Sequence, residues 1–475
     1  MTKVHAAPND ADVEQVKVQY EHKEDKLEKL NADLDGDAPF EIDPAKERAL
    51  VRKVDLHMMP MLWLMLLMNY IDRTNIGNAK VGGMAAELHM KSADYSLVLS
   101  IFYAGYLAFE VPSNMILART NPRYYLPFLM IAWGAMSCAV KGIHSIAGMA
   151  VFRVALGLVE AGFYPGVMLL MSCWYKPNEL SRRMTLFYSA TLVAGAFGGL
   201  LAGGIIQGME GVGGTPGWKW LFIIEGCATV AVAGFAVFVL PNYPATTSWL
   251  TDEERSIAVR RLLSEDADTD GEAHVGHLKA MMQAFKDPIM WCMLITYNII
   301  NCSGTISYFI PTLTAALGYH GRMSQFMTVP IYAVSLVLSI AGGFIADRTG
   351  HKAFTIAGAG ALACASYVVC TVVSNPKVKY AFICFGAGGV WTCIPVFLSW
   401  VVIMFDGREK RAISIAMING FGNLSSIYGS FFWPSSDAPR YHKGFAITTS
   451  LCGFLVVMVL FTRWRFGDKG VARTA

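Results

Sequence analysis

Twelve apolar runs dominate the chain, at residues 54–74, 95–117, 124–141, 146–173, 184–208, 218–240, 289–316, 325–346, 353–374, 379–405, 411–433 and 444–463. A helix that crosses a bilayer needs about 20 mostly apolar residues. Lipid offers no partner to a free backbone amide, so runs of this length must be helices. Composition agrees: 54% of the 475 residues are hydrophobic and 16% are charged, against about 25% charged in soluble domains. Disorder, a disulfide-rich secreted domain and a nucleic-acid-binding fold are excluded. The expected fold class is an all-α polytopic membrane protein with 12 transmembrane helices in two six-helix halves.

The runs divide six and six around a polar stretch that begins "LPNYPATTSWLTDEERSIAVRRLL". The expected organisation is a disordered cytoplasmic tail over 1–52, an N-terminal half over 53–240 and a cytoplasmic central loop over 241–288. A C-terminal half over 289–465 and a cytoplasmic tail over 466–475 complete it. Within the loop, "TDEER" gives a Thr cap and acids in a first helical turn. The opening "MTKVHAAPNDADVEQVKVQYEHKEDKLEKL" lacks the apolar core of a cleavable signal, so the first membrane helix is expected to direct insertion.

Net charge is +3, too mild for a polyanion partner. The ten cysteines contain no CxxC and no Cys/His metal spacing. Those inside apolar runs (Cys138, Cys227, Cys292, Cys364, Cys370, Cys452) read as small buried hydrophobes. No metal and no cofactor are expected.

Loops rich in Lys and Arg stay in the cytoplasm. Arg52/Lys53, Arg119/Arg123, Lys176/Arg182/Arg183, Arg348/Lys352, Arg408/Lys410/Arg411 and Arg463/Arg465 fall on one side, with fewer cations opposite. Both termini are therefore expected inside, with the plasma membrane as the expected location. The sequons at Asn301 and Asn423 lie within spans and are not expected to carry glycans.

A charge at mid-membrane costs about 2.5–3.5 kcal/mol even on lenient scales, so each one calls for a reason. The first helix ends in "LMNYIDRTNIGNAK", with Tyr70, Asp72 and Arg73 together. The fourth reads "VFRVALGLVEAGFYPG", with Arg153 and Glu160 seven residues apart. Seven residues are two turns on one face, about 10.5 Å along the axis. Asp72 is expected to pair with Arg153, leaving Glu160 desolvated near the midplane, able to bind and release a proton. The alternative is a static ion-pair lattice, although buried pairs stabilise poorly. Arg73 either faces a central cavity, where its planar fork suits a carboxylate, or snorkels to headgroups. Second-half candidates for the site are Asn298, Asn301, Tyr308, Trp400, Asn419 and Asn423, the last two sharing a face. Their amides could equally bond neighbouring helices. Glu110 and Glu225 are expected in structural pairs.

The eighth span ends "GGFIADRTGHK", which resembles the major facilitator superfamily signature loop at Gly343, Asp347, Arg348, Gly350 and Lys352, with His351 replacing an Arg. On that resemblance the Gly allows close helix approach and Asp347–Arg348 latches the cytoplasmic ends in the outward-facing state. The first-half counterpart, "NMILARTNPRYYL", keeps the basic residues and loses the Gly/Asp pattern. "YIDRTNIGNAK", "RVALGLVEAGFYPG", "WYKPNELSRR", "GWKWLFIIEG", "GREKRAISIAMINGFGN" and "DAPRYHKGFA" resemble the anion:cation symporter family, in its fungal allantoate/nicotinate permease branch. The likeness covers about residues 50–465.

That resemblance implies a monomeric carrier coupling a proton to a small organic anion such as nicotinate or allantoate. Asp72 and Glu160 would be protonation sites, and Arg153 would be the charge partner that links them. Tyr70 and Arg73 would contact the substrate carboxylate, with Asn419 and Trp400 lining the site from the second half. An exporter of a fungal secondary metabolite is an alternative, as is a non-transporting membrane sensor. An enzyme is not expected: there is no metal cluster, nucleophile elbow or phosphate loop.

Overall fold

The computed structural model describes residues 43–118, 120–269, 277–405 and 408–467. Backbone contacts divide the chain into Met1–Arg48 and Ala49–Ala475. Of the first unit, residues 43–48 are described, a turn in which Asp43 Oδ1 accepts from the Ala45 amide at 2.8 Å. Residues 44–52, expected in the tail, begin a helix instead. The expected disorder over 1–42 and the end of the C-terminal tail, 468–475, lie outside the described residues.

The helices in chain order are α1 (Pro44–Ala79), α2 (Ser92–Ala118), α3 (Pro122–Cys138), α4 (Ile146–Glu160), α5 (Phe163–Ser172), α6 (Pro177–Gly208) and α7 (Gly217–Val239). Two helices of the central stretch follow, α8 (Asp252–Thr269) and α9 (His277–Lys286). Then come α10 (Pro288–Gly304), α11 (Ile310–Ala316), α12 (Thr328–Thr349), α13 (Lys352–Val372), α14 (Pro376–Met404), α15 (Arg408–Gly429) and α16 (His442–Phe466).

Among the described residues, ten helical stretches are long and apolar enough to cross a membrane. The two other expected spans are α3 and α15. The first has 17 residues before a 3-10 turn over Ala139–Gly142. The second is diluted by Asn419, Asn423 and several serines. Large apolar side chains point outward around the bundle, among them Phe128, Phe238, Val337, Phe344 and Val372. A soluble monomer does not expose apolar surface on this scale.

Small residues set how closely the helices approach, because in lipid packing rather than apolar burial drives association. A Cβ added at Gly157 of α4 would lie 2.1 Å from the Phe102 carbonyl oxygen of α2. One added at Gly105 would lie 2.5 Å from the Val154 oxygen. This mutual contact carries Arg153, one turn from Gly157, against α2.

The bundle has a basic end, where α1, α6, α10 and α15 start, and an opposite end that is sealed. At the sealed end Tyr95 donates to the Tyr308 carbonyl at 3.0 Å, and the Tyr103 and Tyr308 hydroxyls are 2.6 Å apart. Ser96 and Ser100 of α2 donate to the carbonyls of Ser430 and Ile427. Gly195, Gly199 and Gly203 of α6, spaced by four, admit Tyr332, Thr328 and Phe326.

At the basic end the central stretch docks onto α1, α5 and α6. The Thr251 hydroxyl accepts from the Glu254 amide at 3.2 Å, and Glu254 accepts from the Thr251 amide at 2.9 Å. This is the reciprocal cap that "TDEER" encodes. Glu254 also pairs with Lys53 at 2.7 Å. Trp249 stacks on His57 at 4.7 Å and on Trp174 at 5.9 Å. Arg183 grips Asp55 through two bonds of 2.5 and 2.7 Å, and Arg261 bonds Glu179.

Two outcomes are expected. Gly157→Val should destabilise the purified protein by about 1–3 kcal/mol through forced separation of α2 and α4, read as a lower melting temperature. For Glu254, partial burial pushes its carboxyl up, but the Lys53 and Thr251 hydrogen bonds outweigh this and hold it below its ordinary value. A depressed carboxylate stabilises above the unfolded value and loses that contribution as pH falls through the folded one. Glu254→Gln should therefore lower stability by up to about 1 kcal/mol at neutral pH. That difference should vanish in melts taken well below the ordinary Glu value of about 4.3.

Candidate functional site

Among the described membrane-crossing segments, the fourth and the seventh are interrupted partway along. The fourth interrupts at Gly162, between Glu160 at the end of α4 and Pro165 in the first turn of α5. The seventh passes from Gly304 through a 3-10 turn, Thr305–Phe309, to Pro311 in α11. Broken helices deep in a bilayer are tolerated where they line a cavity, and both breaks meet one here.

That central cavity has a volume of about 100 Å³, enough for several waters or part of a small ligand. From the first half, Asn69, Tyr70 and Arg73 of α1, Tyr103 and Tyr106 of α2, and Tyr164 and Tyr188 line it. From the second half come Tyr297, Asn301, Tyr308, Trp391, Asn419 and Asn423. A smaller cavity of about 40 Å³ lies toward the basic end between α6, α12 and α14, sharing Tyr188 and Trp391.

Arg73 is the cation in the wall. Its Nη2 and Nε lie 3.0 and 3.3 Å from Glu160 Oε2, which also accepts from Asn69 at 3.1 Å. The guanidinium sits 5.5 Å from the Tyr70 ring and 5.2 Å from both Phe102 and Tyr106. Arg73 is 12% exposed and Glu160 fully buried. Glu160 Oε1 has no partner among the described residues.

The expected pairing of Asp72 with Arg153 is corrected. Asp72 Oδ2 accepts from Trp133 of α3 at 3.1 Å and Thr229 of α7 at 2.8 Å. Neighbours on an α-helix point about 100° apart, and here that step carries Asp72 off the face that Arg73 presents to the cavity. Asn69, Tyr70 and Arg73, spaced by three and four, take the cavity face, and Asp72 turns away. Arg153 is fully buried with its guanidinium 4.5 Å from the Phe102 ring. Its Nε reaches the Val98 carbonyl at 3.5 Å, and neither terminal nitrogen has a partner among the described residues. Arg73 and Arg153 thus flank one aromatic ring, with Arg153 behind the wall.

Of the second-half candidates, Asn301, Tyr308, Asn419 and Asn423 meet the cavity. Asn298 does not: its amide donates to the Phe421 carbonyl at 3.1 Å, and its oxygen accepts from Tyr428. Trp400 is packed in the second-half core against Phe397. Glu225, expected in a structural pair, is bonded by the neutral amide of Asn75.

In the signature loop Gly350 caps α12 in the left-handed region, φ 71°, where a side chain would be strained. The close approach expected at Gly343 occurs at Gly342, where an added Cβ would lie 2.2 Å from Thr392 Cγ2, while nothing lies within 4 Å at Gly343. Lys352 donates to the Ser399 carbonyl at 3.0 Å. Asp347 and Arg348 are exposed and form no ion pair among the described residues.

Asn69 and the tyrosines other than Tyr70 and Tyr308 were not singled out by sequence. Their polar tips in apolar spans are the available signal, but which face meets a void depends on the neighbouring helices.

The Major Facilitator Superfamily model matches residues 62–430. Among curated relatives, the MFS transporter prlL of Fungal sp. (strain NRRL 50135) is 34% identical, over 89% of this chain and 87% of the relative. The MFS-type transporter efuF of Hormonema carpetanum is 33% identical, over 89% and 86%. Among solved structures, a bacterial homologue of the human lysosomal transporter Spinster, inward-facing and occupied, superposes with a TM-score of 0.67 at 15% identity. It covers 87% of this chain and 97% of that one. The chain belongs to the Major Facilitator Superfamily. It is a multi-pass membrane transporter for small substrates and not an enzyme.

An unpaired buried guanidinium costs stability that an apolar isostere does not. Arg153→Met should raise the melting temperature of the substrate-free protein, corresponding to about 1–4 kcal/mol.

Proposed function

We propose that this transporter is a proton-coupled symporter of a small organic anion, of the anion:cation symporter family. The observation that carries the reading is the Arg73–Glu160 pair at the cavity, with Glu160 Oε1 bare. Protonating Glu160 at that oxygen removes the charge that holds Arg73. The freed fork then offers two parallel hydrogen bonds to a substrate carboxylate. Proton and anion bind together because each vacates or fills the partner the other needs. Arg153, two turns from Glu160 on the same helix face, adds a second positive charge that no ion pair among the described residues balances. Tyr70, Asn419 and Asn423 complete the contact surface in this reading.

Orientation follows from the positive-inside rule, which puts the basic end and both termini in the cytoplasm. The sealed end then faces outward, and the cavity belongs to an inward-facing state. The exposed, unpaired Asp347 and Arg348 support that reading, since a latch of the cytoplasmic ends would engage them. Halves 53–240 and 289–465 rock about the cavity, with 241–288 spanning them on the inside. Carrying the anion alone inward against an inside-negative membrane costs about 2.3 kcal/mol per charge per 100 mV. One co-transported proton removes that cost for a monoanion.

The test is uptake of a carboxylate panel, nicotinate and allantoate included, into proteoliposomes with and without an inward proton gradient. Wild type should accumulate at least one acid above its equilibrium ratio, and faster when the outside is acidified. Glu160→Gln should abolish uphill accumulation while exchange stays within a few-fold of wild type. Undiminished uphill uptake by that variant rejects Glu160 as the coupling carboxylate, and gradient-driven efflux in place of uptake rejects import.

A further inference from the structure

Behind α1, on the side away from the cavity, a second polar cluster joins α1 to α7. It forms two rungs. Asp72 Oδ2 accepts from Thr229 at 2.8 Å, and Asn75 donates its amide to Glu225 Oε2. Asp72 and Asn75 are three apart on α1, and Glu225 and Thr229 are four apart on α7. The rungs are therefore one helical turn apart, about 5–6 Å. Both carboxylates are buried, at 2% and 3% exposure.

The donors to this diacid are all neutral: Trp133, Thr229 and Asn75. No Lys, Arg or His among the described residues bonds either carboxylate. The basic groups of the packed elements are engaged elsewhere. Lys219 of α7 pairs with Glu87 at 3.0 Å, and Arg183 of α6 with Asp55. In α4, Arg153 sits over Phe102, while Glu160 is held by Arg73. From α3 and α7 the remaining titratable neighbours are Cys138 and Cys227, with sulfurs 3.6 Å apart. Two oxygens within the cluster, Glu225 Oε1 and Asn75 Oδ1, have no donor among the described residues.

Two like charges a helical turn apart, out of water and without a cation, are not sustained. A protonated carboxyl relieves the repulsion and supplies the donor that the bare oxygens lack. We infer that Glu225 and Asp72 together hold one proton at the α1–α7 interface, making Glu225 a further proton-binding residue of this carrier, outside the cavity. Because Asp72 and Arg73 are adjacent on α1, release of that proton changes the charge immediately behind the cavity cation. The inference needs no substrate assignment, so a failed transport assay leaves it standing.

The experiment uses the full chain in lipid nanodiscs, in the Glu160→Gln background so that the carboxylate paired with Arg73 is silent. Infrared difference spectra between about pH 6 and about pH 9 should show loss of one protonated-carboxyl carbonyl band. Adding Glu225→Gln or Asp72→Asn should remove that band. A proton bound in the folded state alone makes stability fall as pH rises. The melting temperature of the Glu160→Gln protein should therefore drop across this range, and the Glu225→Gln double variant should be flatter. Absence of any carboxyl band in the Glu160→Gln protein at about pH 6 overturns the proposal without a further variant. So does a band that persists in both double variants, or stabilisation at about pH 9 by sodium chloride over choline chloride, which would mark a cation site instead.

Discussion

The constraint on which the site depends is the cost of charge in a medium without water. Once Arg73, Arg153, Glu160 and Asp72 lie inside the bundle, each must find a partner, carry a proton or wait for a ligand. Arg73 and Glu160 meet this by pairing with each other, with Asn69 as a third member. Asp72 has only neutral donors, an indole and a hydroxyl, and meets it with the proton it shares with Glu225. Arg153 does not, and its two free terminal nitrogens behind Phe102 are the largest unmet polar demand near the cavity. A guanidinium near the cavity whose terminal nitrogens have no partner among the described residues is a plain physical basis for attracting an anion.

The packing explains why these charges are held where they are. Gly105 and Gly157 bring α2 and α4 into backbone contact, placing Phe102 between the two guanidiniums. Tyr164, just past the interruption at Gly162, and Tyr308, within the turn Thr305–Phe309, both line the cavity. At the sealed end the two halves interlock through hydroxyl-to-carbonyl bonds and a glycine stripe. The hydroxyl-to-carbonyl bonds are individually modest, while the glycine stripe admits the rings of Tyr332 and Phe326 and the side chain of Thr328. The fold supplies the scaffold, while the buried charges near the cavity sit on α1 and α4 beside Phe102 of α2.

Much of this was legible in the linear chain. The spans, their pairing into six and six, the "TDEER" cap and the superfamily signature follow from periodicity and local chemistry, which act over a few residues. Arg73, Tyr70, Asn419 and Asn423, each an unexplained polar group in an apolar run, all line the central cavity. The pairing was not legible. Asp72 and Arg153 have suitable charges and comparable depth, yet helix rotation turns Asp72 toward α3 and α7. Trp400 and Asn298 failed as cavity residues for the same reason: each lies on a face that another helix covers.

Membership of the superfamily, the helical class and the presence of buried charge were determined by the amino-acid order itself. They rest on hydropathy, backbone hydrogen-bond demand and motif chemistry, none of which needs a neighbour in space. Which acid meets which base, which tyrosines share one void, and that Glu225 lies beside Asp72 were decided by the tertiary structure alone. Those facts depend on the rotation and depth of each helix against the others, and residues 72 and 225 acquire a relationship only when α1 and α7 pack.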